Sequence, residues 1–219
     1  MVPPSSSSAT VIARFISKIP AGVWIALAVA IGLAAIGGGA AVALGRRASR
    51  RAGEVAALTA TALTDQLTGV LNRRGFTQSA ERELERARRY GHPVALAYVD
   101  VRRLKAVNDT EGHLAGDRLL KEVALMLSEC ARTHDLIGRI GGDELAVLLA
   151  EQGEPGAAAM ARRVREQVPG HRAALGLATA WDVTIGTAGL PEDGDTLDDL
   201  IAAADRRMYG QRGIELQHP

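Results

Sequence analysis

Residues 139–149 read RIGGDELAVLL: two glycines and two adjacent acids, Asp143 and Glu144, lie between Ile140 and an apolar run. The run 145–149 is the composition of a buried strand, and 136–140 (LIGRI) is a second apolar stretch of strand length. Gly141-Gly142 between them predicts a tight hairpin, because glycine accepts the positive φ that such turns demand. The hairpin then carries two carboxylates at its tip. Taken alone, that is ordinary polar turn chemistry.

Working outward, 94–99 (VALAYV) is a further apolar run and ends at Asp100. Strands that finish side by side would bring Asp100 to Asp143 and Glu144, and close like charges force one group to protonate unless a cation intervenes. A divalent cation removes that conflict. Mg²⁺ takes a few carboxylates together with water and phosphate oxygens, so the arrangement suits a metal-bound triphosphate. The segment that follows, DVRRLKAVNDTEGHLAGD (100–117), adds the rest of a nucleotide site. Lys105 can neutralise phosphate as a point charge. Asn108 offers a donor and an acceptor and Asp117 an acceptor only, a pair that matches O6, N1–H and the 2-amino group of guanine and mismatches adenine. Asp117 has a competing role as the residue that opens and N-caps a helix. His113, without Cys or His neighbours, reads as a packed or hydrogen-bonded loop residue, not a zinc ligand.

The surrounding elements alternate. Phe76, Ala80, Leu84 and Ala87 form a helical stripe stopped by Gly91 and Pro93; Leu120, Val123, Leu127 and Cys130 form another. Residues 156–168 are expected to be helical, 173–179 and 183–188 to be strands, and Leu197, Leu200, Ile201, Ala204 and Met208 to mark a last helix. Crossover helices together with one antiparallel hairpin give a mixed α/β sheet.

The chain has 219 residues and a net charge of +1, which argues for no global field aimed at a nucleic-acid polymer. Its single cysteine, Cys130, cannot form an internal disulfide. Residues 1–18, with Pro3-Pro4 and four serines, read as a disordered extension. Residues 19–45 contain no charge and exceed the roughly 20 residues of helix that span a bilayer. Arg46, Arg47, Arg50 and Arg51 outnumber Arg14 and Lys18, which puts the C-terminal side in the cytoplasm. A cleaved signal peptide ending near Ala41-Val42-Ala43 is the competing reading, and the apolar run is too long for it. Residues 46–64 then read as a helical linker, either a short coiled-coil stalk or a solvated helix.

Four motifs, DQLTGVLNRRGF (65–76), DVRRLKAVNDTEGHLAGD (100–117), RTHDLIGRIGGDEL (132–145) and AADRRMY (203–209), occur in the order and spacing of GGDEF-domain diguanylate cyclases. The resemblance covers residues 65–212, leaving 213–219 as a tail. It implies a palm-like nucleotidyl-cyclase sheet flanked by helices, which the apolar run 19–45 would precede with one transmembrane helix. It also implies an enzyme that condenses two GTP into cyclic di-GMP and two pyrophosphates; with the apolar run, that gives a single-pass enzyme of the cytoplasmic membrane as the expectation. By matching position, Asp100, Asp143 and the Val101 carbonyl would ligate Mg²⁺, with Mn²⁺ as an alternative. Glu144 would support the acidic cluster, Lys105 would contact phosphate, and Asn108, Asp117 and Arg212 would bind substrate. One domain holds one GTP in this scheme, so the catalytic unit would be a homodimer. Arg132 and Asp135 match the family's RxxD product-inhibition motif, with Arg139 a helper; a surface salt bridge is the plainer reading of that pair.

The chain departs from the family pattern at four places. Arg102 replaces a second aspartate, Arg103-Leu104 an apolar, often aromatic lead-in, and Leu145 the signature phenylalanine. After Arg212 the Gly-Arg-Asn phosphate motif is unmatched, and Leu216 stands where its arginine belongs. These departures sustain one alternative, a catalytically silent receptor that binds cyclic di-GMP and signals through a partner.

Overall fold

A strand that is apolar at successive positions must be covered on both faces, and VALAYVDVR satisfies that condition by lying in the middle of a sheet. A computed structural model of the chain describes residues 20, 22, 23, 25, 26 and 62–215, with side chains through 210. Two compact units divide the chain, Met1–Ala57 and Leu58–Pro219. In the first, Gly22, Val23, Ile25 and Ala26 are helical. Most of the expected membrane span and of the linker, residues 216–219 of the expected tail and the Arg212 side chain lie outside the described residues, while residues 213–215, expected to begin the tail, continue the last helix. Among those described, no helix is long and apolar enough to cross a membrane.

The second unit contains β1 (Leu71–Asn72), α1 (Arg73–Tyr90), β2 (Val94–Arg102), α2 (Leu104–Glu111), α3 (His113–Cys130), β3 (Leu136–Arg139), β4 (Glu144–Ala150), α4 (Glu154–Leu175), β5 (Asp182–Leu190) and α5 (Leu197–Glu215). The sheet order is β1-β3-β4-β2-β5. β2 pairs antiparallel with β4 and β5, β3 antiparallel with β4, and β1 parallel with β3. The mixed α/β sheet flanked by helices is therefore as expected.

Alternation along β2 divides the core in two. Ala95, Ala97, Val99 and Val101 face α3 and α4, against Leu119, Val123, Met160 and Val164. Val94, Leu96 and Tyr98 face α1 and α5, against Phe76, Leu84, Leu200 and Ala204. Leu145, in place of a phenylalanine, is fully buried, so the smaller side chain is accommodated in the first of these layers. Burial raises the Cys130 thiol pKa, and the residue serves as packing.

Three local expectations change. Residues 173–175 continue α4, and Gly176, at φ 64, caps it before a turn, so no strand forms at 173–179. The helix passes through Pro169 because Val164, Val168 and Leu175 keep one buried face, and His171 Nδ1 meets Glu122 Oε1 of α3 at 2.7 Å. Tertiary packing overrides the local stop signal here. α3 begins at His113 behind Gly112, at φ 86, so Asp117 lies inside the helix and caps nothing. The 104–111 stretch, not anticipated as regular structure, is helical.

The hairpin also differs in its cause. Neither Gly141 nor Gly142 has positive φ. The Glu144 carbonyl accepts from both Ile140 N–H (2.9 Å) and Gly141 N–H (3.2 Å), and a methyl on Gly141 would stand 2.2 Å from Glu144 Oε2. Glycine at 141 thus leaves room for the Glu144 carboxylate where it lies in this structure, and its backbone conformation is not what calls for it.

α5 lies close over β5: a methyl on Gly186 would be 1.9 Å from the Ala204 carbonyl oxygen. Arg207 reinforces the contact, donating to the Thr187 carbonyl (2.6 Å) and forking onto Asp193 at 2.7 Å. We expect Gly186→Ala to cost about 1–3 kcal/mol, because a backbone atom cannot rotate aside. Urea denaturation measures it; an unchanged midpoint would contradict the close approach.

Candidate active site at the end of β2

Strand register assembles the acidic half of the site. Asp100 is directly opposite Glu144 on β4 and Thr184 on β5, and Val101 N–H donates to the Asp143 carbonyl (2.9 Å). Asp100, Tyr98 and Glu144 share one face of the sheet. Tyr98 is 7% exposed and hydrogen-bonds Glu144; burial first, then the negative charge of Glu144, holds its hydroxyl well above the ordinary tyrosine range. The phenol therefore stays protonated and orients the carboxylate as a donor. Arg73, at the start of α1, adds positive charge from the same side.

The other half comes from the helix pair. Gly112, in the left-handed region, turns α2 into α3 and donates to the Asn108 carbonyl (3.0 Å). A methyl at Gly116 would lie 1.9 Å from Asn108 Oδ1, so this glycine leaves the space the carboxamide occupies. Glu111 pins the far end of α2 by accepting from Thr179 N–H (2.9 Å) and Ala178 N–H (3.1 Å), and these bonds hold its carboxyl below the ordinary range.

Lys105, Asn108, Asp117 and Asp143 thus line one cleft of about 530 Å³, together with His113, Gly116 and Gly142. His113 is exposed at the start of α3 and is not the packed loop residue expected. Val101 is buried in β2, and Asp143 is exposed in the turn. Among the described residues no three His, Cys, Asp or Glu side chains are gathered as a metal cage. The candidate donors lie on adjoining parts of the β2–β4 pair and are all oxygens: Asp100 is opposite Glu144, and Val101 N–H donates to the backbone carbonyl of Asp143 in the turn. Such a set fits Mg²⁺, which keeps several waters and shares its coordination with substrate phosphates.

Arg139 is placed by the structure away from Arg132 and on this cleft. Its Nη2 donates to the Gly142 carbonyl (2.7 Å), and its Nη1 pairs with Asp65 at 3.4 Å. Asp65 is a positioning residue that sequence reasoning left without a role. Burial pushes its carboxyl up, but donation from the Thr68 hydroxyl (2.7 Å) and amide (2.9 Å), and then the Arg139 charge, outweigh burial and hold it below the usual range. The early DQLT motif therefore fastens the signature turn from beneath. Its only sequence signal was an acid beside Thr68 in an otherwise apolar lead-in.

Arg132 and Asp135 lie elsewhere, in a cavity of about 380 Å³ with Glu83, Arg86, His134 and Glu151. Asp135 accepts from Arg132 N–H (2.7 Å) and Ala150 N–H (3.2 Å). Its carboxylate thus fixes backbone, and among the described residues no ion pair joins it to the exposed Arg132 guanidinium. The surface salt bridge is not formed.

Residues 62–213 match the family model described as diguanylate cyclase, GGDEF domain. The chain is 35% identical over 151 residues to the response regulator PleD of Caulobacter vibrioides, an alignment covering 68% of this chain and 33% of that protein. It is 35% identical over 159 residues to the diguanylate cyclase DosC of Escherichia coli, covering 69% and 34%. The match thus spans about a third of the length of these curated relatives. Among solved structures, the coiled coil and GGDEF domain of DgcB from Caulobacter crescentus in complex with c-di-GMP superposes with a TM-score of 0.68 at 25% identity. That superposition covers 76% of this chain and 90% of that one.

The Asp65–Arg139 clamp yields a pH signature. Because the folded carboxyl is depressed, its contribution is fully present above the unfolded value of about 4 and is lost as pH falls through the lower folded value. Arg139→Gln should raise the Asp65 carboxyl toward the ordinary range. It should destabilise the domain by about 1–3 kcal/mol at neutral pH and leave a shallower fall in stability on acidification. Thermal melts across the acid range test this, and parallel wild-type and variant curves would exclude the clamp.

Proposed function

The chain belongs to the GGDEF-domain family of diguanylate cyclases, and from that premise we propose that it is a membrane-anchored enzyme condensing two GTP into cyclic di-GMP and two pyrophosphates. The observation that carries the reading is the convergence of Lys105, Asn108, Asp117 and Asp143 on one cleft at the end of the strand that bears Asp100.

Asn108 and Asp117 read guanine, the carboxylate accepting from N1–H and the 2-amino group while the amide donates to O6. Gly116 keeps the Asn108 carboxamide seated. Lys105 neutralises the triphosphate, and Arg212 serves as a further cation at its terminal phosphates. Asp100, Asp143 and the Val101 carbonyl would hold Mg²⁺ or Mn²⁺, which when bound screens the triphosphate and lowers the pKa of the attacking 3′-hydroxyl. Asp143, exposed in its turn and held by Arg139 through the Gly142 carbonyl, can accept that hydroxyl's proton as the oxygen attacks the α-phosphorus of the second GTP. Glu144, fixed by Tyr98, maintains the negative field on the opposite side of the turn.

One cleft orders one nucleotide, so the reaction needs two copies face to face. The apolar span 19–45 confines the chain to the cytoplasmic membrane with its catalytic domain inside, and the 46–64 linker pairs the domains, raising the effective concentration of one cleft about another. Cyclic di-GMP, a guanine ligand rich in phosphate, fits the second cavity. There Arg132 offers an unpaired fork and Asp135 a rigid carboxylate, the elements of product inhibition.

Full-length protein in lipid, given GTP and Mg²⁺, should form cyclic di-GMP with specific activity that rises with protein density. Asp143→Asn should lower turnover by at least about a hundred-fold with an unchanged melting curve; near-normal turnover would remove Asp143 from catalysis. Folded protein that binds cyclic di-GMP and never makes it would be the receptor instead. Arg132→Ala should raise the cyclic di-GMP concentration giving half-inhibition by about ten-fold or more, and an unchanged inhibition curve would move the inhibitory site elsewhere.

A further inference from the structure

The cavity beside Arg132 and Asp135 is built on a closed turn. Arg132 N–H donates to Asp135 Oδ2 (2.7 Å), and Asp135 N–H donates to the Arg132 carbonyl (3.0 Å), so Thr133 and His134 stand at the tip of a short loop. Ala150 N–H (3.2 Å) ties the same aspartate to the end of β4. Arg132 and His134, two residues apart on this fixed turn, both line the cavity. His134 is exposed, and among the described residues no hydrogen bond or ion pair engages its ring.

The charges around that ring are unbalanced. Glu83 and Arg86 come from α1, Arg132 and Asp135 from the turn, and Glu151 from the residue after β4. Arg86 is divided between the two glutamates, 3.6 Å from Glu83 and 3.5 Å from Glu151. Glu151, at φ 55, also meets His92 Nδ1 at 3.4 Å; His92 follows α1 and is not part of the lining. Three carboxylates in the lining thus face two guanidiniums. With the His134 imidazole neutral, one negative charge is in excess and opposes an anionic ligand; a proton on His134 balances it. Several of these groups are partly exposed, so solvent and salt screen them and the gain from one added charge is modest.

We propose that His134 is a second cationic contact, beside Arg132, for the phosphates of cyclic di-GMP in this cavity, and that binding there tightens as pH falls. The proposal rests on the inhibitory-site reading above, which uses Arg132 and Asp135 alone. Phosphodiesters stay anionic throughout the range in which imidazoles titrate, so the protein's charge changes and the ligand's does not. A histidine that gains an anionic partner keeps its proton to higher pH. The added affinity is therefore present on the acid side and is lost as pH rises.

Calorimetric titration of the full chain with cyclic di-GMP tests this, in an Asp117→Ala background that disables guanine reading in the catalytic cleft. Affinity should rise about three- to ten-fold between about pH 8 and about pH 5.5, with a proton taken up on binding. His134→Gln should remove both the rise and the proton uptake, leaving the weaker affinity at every pH. His134→Lys should hold the tighter affinity across the range, and His92→Gln should keep the wild-type slope. Affinity that does not change with pH, or a slope that survives His134→Gln, would overturn the proposal; a slope lost in His92→Gln instead would move the proton to that residue. Binding that Arg132→Ala weakens equally at every pH, with no slope in the parent, would uphold the inhibitory site and refute the role of His134. Absent binding, or binding indifferent to Arg132→Ala, would refute the inhibitory site and this proposal with it.

Discussion

The register of β2 between β4 and β5 is the constraint on which everything else rests. With Asp100 opposite Glu144 and Thr184, the even-numbered side chains of the strand face α1 and α5, and the odd-numbered ones face α3 and α4. A slip of one residue would exchange the two faces, burying Asp100 among the α3 and α4 side chains and exposing alternate core positions. Seven paired positions with β4 and nine with β5 oppose that slip, every residue of the strand being paired on at least one side. The acidic pair is therefore a product of sheet register, and the core fixes it as firmly as any hydrogen bond does.

Around that register, small residues set distances. Gly116 admits the Asn108 carboxamide, Gly141 admits the Glu144 carboxylate, and Gly186 admits the backbone of α5. At each the conformation is unexceptional and the absent methyl is what matters. Gly112 acts differently: at φ 86 it turns α2 into α3, so that residues 105, 108 and 117 face a common space. Charged groups then lock the edges, Asp65 and Arg139 beneath the turn and Arg207 across α5 and β5.

Much of this was legible beforehand. The stripe from Phe76 to Ala87 and the runs at 94–99 and 145–149 are periodic or continuous enough to name their elements, and they did so correctly. The failures share a cause. Residues 173–179 carry a strand-like composition, but α4 is held in helix past Pro169 by faces that lie far away in sequence. The helix at 104–111 buries only Val107, so its pattern offers no stripe to detect. Arg139 was paired with Arg132 by proximity along the chain, and β3 carries it away to the other end of the strand.

By itself, the order and spacing of acids, amides and glycines determined the family, because those motifs fall in one order along one domain. It determined too that two arginines stand where the family has other residues. Only the tertiary structure decided that Asp117 lies within a helix and that Asp65 holds the turn. The reason is physical: local propensity acts over a few residues, while charge neutralisation and close packing act between whichever segments the sheet brings together.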